Sequence, residues 1–187
     1  IKSNGIASSR IPYPFYASYY KDISFSQNET QTINPIVSFT REIDDIFIED
    51  FEGNGLDLDI DSLNFSIESF DGNKYGKLTL DSIYLVAEIT TDELIDLPQA
   101  GTPVFLELDY KCNTQFLVGV YINSPQSVVQ KDLLWINPKE DWNKIYVNLT
   151  STISEGINAT SFKVFIGMKR EGEDPNELLF DNLKVVY

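Results

Sequence analysis

The sequence predicts an all-β domain, a two-sheet antiparallel β-sandwich of jelly-roll type. Three observations carry that expectation. Apolar and polar residues alternate with period two along most of the chain, turn residues interrupt the alternation at short intervals, and helix signals are few. Many short strands with turn-rich joints are the pattern of a sandwich or barrel, not of parallel βαβ units.

Taken in order, Ile1–Arg10 is small, polar and unpatterned and reads as a flexible tether. Residues 11–187 read as one β-sandwich domain, within which 11–45 form an N-terminal extension whose packing the pattern leaves open. Leu63-Asn64-Phe65-Ser66-Ile67-Glu68 alternates, Asp71-Gly72-Asn73-Lys74 is a turn, and Lys77-Leu78-Thr79-Leu80 resumes the alternation, so a hairpin is expected. Ile83–Ile89 is a nearly continuous apolar run, which fits a strand covered on both faces or at a sandwich centre. Thr91–Leu97 offers a capping threonine, acids in a first turn and Pro98 as a stop, and predicts one or two helical turns. Val104, Leu106, Leu108, Tyr110 and Cys112 share one strand face against Glu107, Asp109 and Lys111 on the other. Strands are expected at Gln115–Asn123, Val128–Ile136, Lys144–Leu149, Phe162–Met168 and Leu178–Tyr187, with a second short helical turn at Ser154–Ala159.

Composition removes whole classes of chemistry. The 187 residues include 14 basic and 29 acidic side chains, no histidine and one cysteine, for a net charge of -15. Without histidine there is no Ser-His-Asp or Cys-His machinery, no imidazole base and no histidine metal site. The lone Cys112 closes no internal disulfide, and its place on an apolar strand face makes it a small buried hydrophobe. The acidic balance opposes nucleic-acid binding through phosphate repulsion. No apolar stretch approaches the roughly 20 residues that a membrane-spanning helix needs. Asn28, Asn64, Asn148 and Asn158 stand in Asn-X-Ser/Thr sequons, which such an Asn-rich β-protein produces by chance.

The acidic residues invite three readings. Asp57, Asp59 and Asp61, followed by Glu68, match the acidic spacing of an EF-hand loop, but Ser62 stands where that loop needs glycine. Leu56, Leu58 and Ile60 alternate with these acids, so a strand with an acidic solvent face explains the spacing. Glu42-Ile43-Asp44 resembles the start of the catalytic strand of laminarinase-like glycosidases, yet Ile46 and Phe47 occupy the positions where the second catalytic carboxylate belongs. The third reading is structural calcium. Leu179, Asp181, Leu183, Val185 and Tyr187 fall on one face of a strand, so Asp181 interrupts an apolar line and needs a partner. That partner is either calcium or hydrogen-bond donors, from backbone amides or Lys184.

The 10 tyrosines, 12 phenylalanines and 2 tryptophans are a high aromatic share. Tyr and Trp faces stack on pyranose C–H groups while polar neighbours bind hydroxyls, which makes Trp135, Trp142, Tyr121 and the Tyr13–Tyr20 cluster candidate ligand contacts. Core packing is the expected fate of most other rings, and Trp142 is also placed to cover the core edge at a strand entrance.

Three stretches together resemble the carbohydrate-binding-module-like, galactose-binding-type jelly rolls of bacterial surface lipoproteins. They are Ile48-Glu49-Asp50-Phe51-Glu52-Gly53, Trp142-Asn143-Lys144-Ile145-Tyr146-Val147-Asn148-Leu149 and Leu179-Phe180-Asp181-Asn182-Leu183-Lys184-Val185. The resemblance implies Glu52 and Asp181 as ligands of a structural calcium. It also implies an exported protein of the cell surface or outer membrane, touching the membrane only through a removed N-terminal lipid anchor. The function expected on this basis is non-catalytic binding of a glycan, and the alternative is a structural or protein-interaction component of a surface assembly. A glycan site should show an exposed aromatic pair beside polar residues in a groove. An interaction surface should show a wider apolar patch.

Overall fold

The computed structural model describes residues 6–8, 45–60, 64–99 and 101–187. In chain order its elements are β1 (Ile6–Ser8), β2 (Asp45–Glu49), β3 (Leu58–Ile60), β4 (Phe65–Phe70), β5 (Asn73–Leu80), β6 (Val86–Thr91), β7 (Phe105–Cys112), β8 (Phe116–Ser124), β9 (Ser127–Ile136), β10 (Lys139–Asn148), α1 (Thr150–Glu155), β11 (Ser161–Lys169) and β12 (Asn176–Val186). A seven-stranded sheet runs β1-β10-β7-β12-β5-β4, with β2 beside β12, and a five-stranded sheet runs β3-β6-β11-β8-β9. Every pairing is antiparallel except β1 with β10, so part of the stretch read as a tether lies against a sheet edge. The expected two-sheet sandwich is the fold.

Alternation aims the core. Leu106, Leu108, Tyr110 and Cys112 of β7 face Phe116, Val118, Val120 and Ile122 of β8 and Val164 and Ile166 of β11, all buried. The β4–β5 hairpin forms as expected. Asp71 and Gly72 both take left-handed backbone (φ 53° and 85°), as a two-residue turn matched to strand twist requires. Gly76 has a different reason for being glycine. A Cβ there would lie 2.7 Å from Phe51 and 2.9 Å from Phe180, whose rings meet edge-on at 5.3 Å. Buried Glu49 organises the loop that delivers Phe51, accepting hydrogen bonds from the N–H groups of Phe51 and Asp57.

Three local expectations are corrected. The run Ile83–Ile89 is not covered on both faces: β6 begins only at Val86, and Ile83, Leu85 and Val86 are exposed. Thr91–Leu97 is not helical. Thr91 ends β6, and Leu94 pairs with Phe162 through hydrogen bonds of 2.8 and 3.0 Å in each direction, a tertiary pairing that overrides the local signals. The second helical turn forms at Thr150–Glu155, upstream of the expected segment, with Asn148 accepting from the Thr150 N–H. The EF-hand spacing dissolves likewise, because Asp59 lies on β3 and Glu68 on β4, in different sheets. Asp61, Glu42-Ile43-Asp44 and the Tyr13–Tyr20 cluster lie outside the described residues.

The most consequential correction concerns Asp181. Asn182 has φ 50°, and the register of β12 on β7 slips between Asp181 and Lys184. This bulge inserts one residue and reverses the side-chain phase. Leu178, Phe180, Leu183 and Val185 therefore all point into the core, and Asp181 points outward. It does not interrupt the core line.

Candidate functional site

The outer face of the seven-stranded sheet collects the side chains that alternate away from the core. β5 contributes Asn73, Tyr75 and Lys77, because Gly76, Leu78 and Leu80 face inward. β4 pairs Phe70 with Asn73 and Glu68 with Tyr75. β7 and β12 place Asp109 and Asp181 directly across from each other, and β10 sets Lys144 beside Asp109. Where these strands meet, an open cleft of roughly 250 Å³ is lined by Phe70, Asn73, Tyr75, Asp109, Trp142 and Asp181.

Its aromatic wall is a pair. Trp142 meets Tyr75 edge-to-face at 5.6 Å, an arrangement aromatic quadrupoles favour. Trp142 stays 46% exposed and Phe70 78% exposed. Trp142 lies within β10, so it does not close the core edge as its sequence position implies. The Tyr75 hydroxyl donates to Glu68 at 3.3 Å, and burial, followed by that carboxylate, raises its pKa.

The polar wall is a chain of carboxylates and amides. Asp181 is only 5% exposed. One of its oxygens accepts from the Asn73 amide at 2.9 Å and the other from the Asn182 backbone N–H at 2.7 Å. Burial raises its carboxyl above the ordinary range; these hydrogen bonds pull the other way, and nearby Asp109 and Asp50 add to the rise. Asp109 accepts from the Asn182 amide at 3.0 Å and from Lys144 at 3.3 Å. Lys144 also bonds Glu107; burial opposes its charge, but the two carboxylates outweigh burial and its pKa rises. Lys77 bridges Glu177 at 2.9 Å and Glu68 at 3.5 Å.

Of the three rings expected to contact ligand, Trp142 lies on this face and the other two do not. Trp135 and Tyr121 lie on the outer face of the five-stranded sheet. Tyr121 is half-buried, donates to the Glu88 carboxylate at 2.9 Å and packs at 4.8 Å on Phe165. Burial and Glu88 push its pKa up to about 12, so it stays a neutral donor. Trp135, 52% exposed, lines a hollow of about 440 Å³ with Val86, Glu88, Leu117, Gly167 and Lys169. Sequence reasoning missed Tyr75, Phe70, Asn73 and Asp109. A usable signal was present for Tyr75, which is in phase with Lys77 and Thr79 and opposite to Leu78 and Leu80.

Glu52 and Asp181 are each engaged by donors, Glu52 accepting the Lys74 N–H at 2.7 Å. Among the described residues, no group of three or more Asp, Glu, Cys or His side chains converges as a metal-ligand set. Cys112 is buried and unpaired, and burial raises its thiol pKa, away from the reactive thiolate.

No protein-family model matches the chain, and no curated protein matches it in sequence. Solved structures do match in fold. The chain is similar to the CBM22-1 and GH10 modules of endo-1,4-β-D-xylanase 10B from Clostridium thermocellum, complexed with xylohexaose, with 13% identity and a TM-score of 0.55. That likeness covers 75% of this chain and only 28% of the xylanase chain. It is similar to the CBM22-2 xylan-binding domain from Paenibacillus barcinonensis, with 13% identity, a TM-score of 0.52 and coverage of 75% and 98%. A family 30 carbohydrate-binding module of a Clostridium thermocellum cellulosomal cellulase matches with 18% identity, a TM-score of 0.50 and coverage of 78% and 97%. At such identities the likeness is one of fold: the chain has the β-sandwich of carbohydrate-binding modules.

Proposed function

We propose that this domain binds a saccharide without transforming it, in the cleft between Trp142, Tyr75 and Phe70 on the seven-stranded sheet. The observation that carries the reading is the pair of exposed Trp142 and half-buried Tyr75 standing beside Asn73, Asp109 and Asp181 in a groove. Pyranose rings have apolar C–H faces and polar hydroxyl rims, and this wall arrangement complements both. The shared fold with carbohydrate-binding modules supports it. A glycan array on the purified chain, repeated with Trp142→Ala, tests it. Binding that depends on Trp142 is expected, and an array silent for the unmutated chain would overturn the reading. Turnover of a polysaccharide that a single carboxylate substitution abolishes would overturn the non-catalytic part.

A second reading, a protein-interaction component of a surface assembly, is favoured by one observation. Ile83 (76%), Leu85 and Val86 (68%) are exposed at the β6 end of the five-stranded sheet, where Val86 and Trp135 share the larger hollow. An exported, cell-surface setting belongs to both readings, and fractionation of producing cells, with surface labelling, tests it.

A further inference from the structure

We propose that the cleft selects its saccharide by charge, accepting sugars that present hydroxyl or ammonium donors and rejecting those that carry carboxylates or sulfates, with Asp109 and Asp181 as the selecting groups. This rests on the saccharide-binding reading above.

The hydrogen-bond inventory points there. An ionised carboxylate only accepts, with about four lone-pair sites on its two oxygens. Asp181 and Asp109 each use two such sites on protein donors, which leaves acceptor capacity at the cleft wall. The amide and ammonium donors beside them face the protein's own acceptors. Asn73 gives its amide to Asp181 and to the Lys74 carbonyl, Asn182 to Asp109, and Lys144 to Glu107 and Asp109. Lys77, on the same sheet face, is held between Glu68 and Glu177. No lysine or arginine lines the cleft among the described residues. A sugar hydroxyl finds acceptors here. A uronate finds two carboxylates already crowded against each other, in a chain of net charge -15. Asp109 and Asp50 add to the rise that burial gives the Asp181 carboxyl, as neighbouring carboxylates do.

The test keeps one backbone and changes one group. Binding to the full chain is measured by calorimetry at neutral pH and low salt for cellohexaose, the β-1,4-glucosamine hexamer and a cellouronate oligomer of matched length. Cellouronate should bind at least about tenfold more weakly than cellohexaose, and the glucosamine hexamer at least as tightly as cellohexaose. Asp109→Asn with Asp181→Asn should bring cellouronate to within about threefold of cellohexaose. Asp109→Asn alone, at a more accessible position, should narrow the gap in the same direction if the double variant does not fold. Equal affinity for cellouronate and cellohexaose, or discrimination untouched by either variant, overturns the proposal while Trp142-dependent binding still stands. Binding indifferent to Trp142→Ala instead overturns the cleft itself. Silence towards all three probes overturns this proposal, and the glycan array then decides the saccharide reading separately.

Discussion

On the seven-stranded sheet Trp142 stands against a second ring, Tyr75, with buried Asp181 and half-buried Asp109 beside it, whereas on the five-stranded sheet Trp135 stands beside Leu117 over a glycine floor at Gly167. The two tryptophans are about equally exposed, so exposure does not distinguish them. Their neighbours do. Around Trp142, Asn73, Asn182, Asp109 and Asp181 hold one another in fixed orientation, so a ligand meets acceptors already in place. Around Trp135, Glu88 is held by Tyr121 and Asp59 pairs with Lys163 at 3.6 Å, without an amide network between them among the described residues. The other lining residues there include exposed Val86. Under the proposed saccharide reading, the held polar groups beside the ring, and not its exposure, set Trp142 apart from Trp135.

The largest effect should come from beneath the cleft rather than within it. Phe180 lies under β5 and against Phe51 and Phe65, fully buried. Phe180→Ala should cost about 3–5 kcal/mol in denaturant unfolding and loosen the strands that carry Asp181 and Tyr75. A loss below about 1 kcal/mol would mean that the two sheets do not pack as described.

Next in size is the contrast between the tryptophans. Trp142→Ala should weaken saccharide binding at least about tenfold, roughly 1.4 kcal/mol, with the unfolding midpoint nearly unchanged. Trp135→Ala should leave that affinity within about twofold. If the two variants exchange these outcomes, the site belongs on the five-stranded sheet, in the hollow with Glu88.

A smaller, pH-dependent effect separates the faces again. Because the Asp181 carboxyl is raised above its ordinary 3.8, the folded state prefers it protonated. Its contribution to stability is therefore fully present below that ordinary value and is lost as pH rises through the raised one. Asp181→Asn should flatten the stability profile from about pH 4 upward. A variant whose profile runs parallel to the unmutated one would show that Asp181 is not the group strained by burial.

Much of this was legible in the sequence. The β4–β5 hairpin followed from alternation around Asp71-Gly72, and β7 through β12 followed from period two with turn residues between them. What alternation cannot show is a phase change inside a strand. One left-handed residue, Asn182, turned Asp181 from an expected core intruder into an outward cleft residue. Nor can it show which strands become neighbours. The cleft gathers side chains from β4, β5, β7, β10 and β12, and its Asn73–Asp181 bond spans 108 residues of sequence. Trp135, Trp142 and Tyr121 were selected by residue type alone, and type does not report the sheet on which a ring will stand.

The smallest expected effect is that of calcium at Glu52 and Asp181. Calcium takes six to eight oxygen ligands, each offering a lone pair to the ion. Here the Asn73 and Asn182 N–H groups point at the two Asp181 oxygens, and the Lys74 N–H points at Glu52. Those donors already take up part of each carboxylate, and among the described residues no group of three or more Asp, Glu, Cys or His side chains comes together to build a shell of six to eight oxygens. The expected result is therefore a melting temperature that is the same in millimolar calcium and in chelator. Calcium that did bind the folded state a hundredfold above its dissociation constant would add about 2.7 kcal/mol. For a chain of this size that corresponds to a rise of roughly 5–10 °C, reversed by chelator and abolished by Asp181→Ala. Such a rise would place the ion on the polar wall of the cleft. It would also recast Asp181 from the proposed charge filter into a metal ligand, and the proposed preference against uronates would then reverse, because a bound divalent cation attracts the sugar carboxylate that Asp109 and Asp181 repel under that proposal.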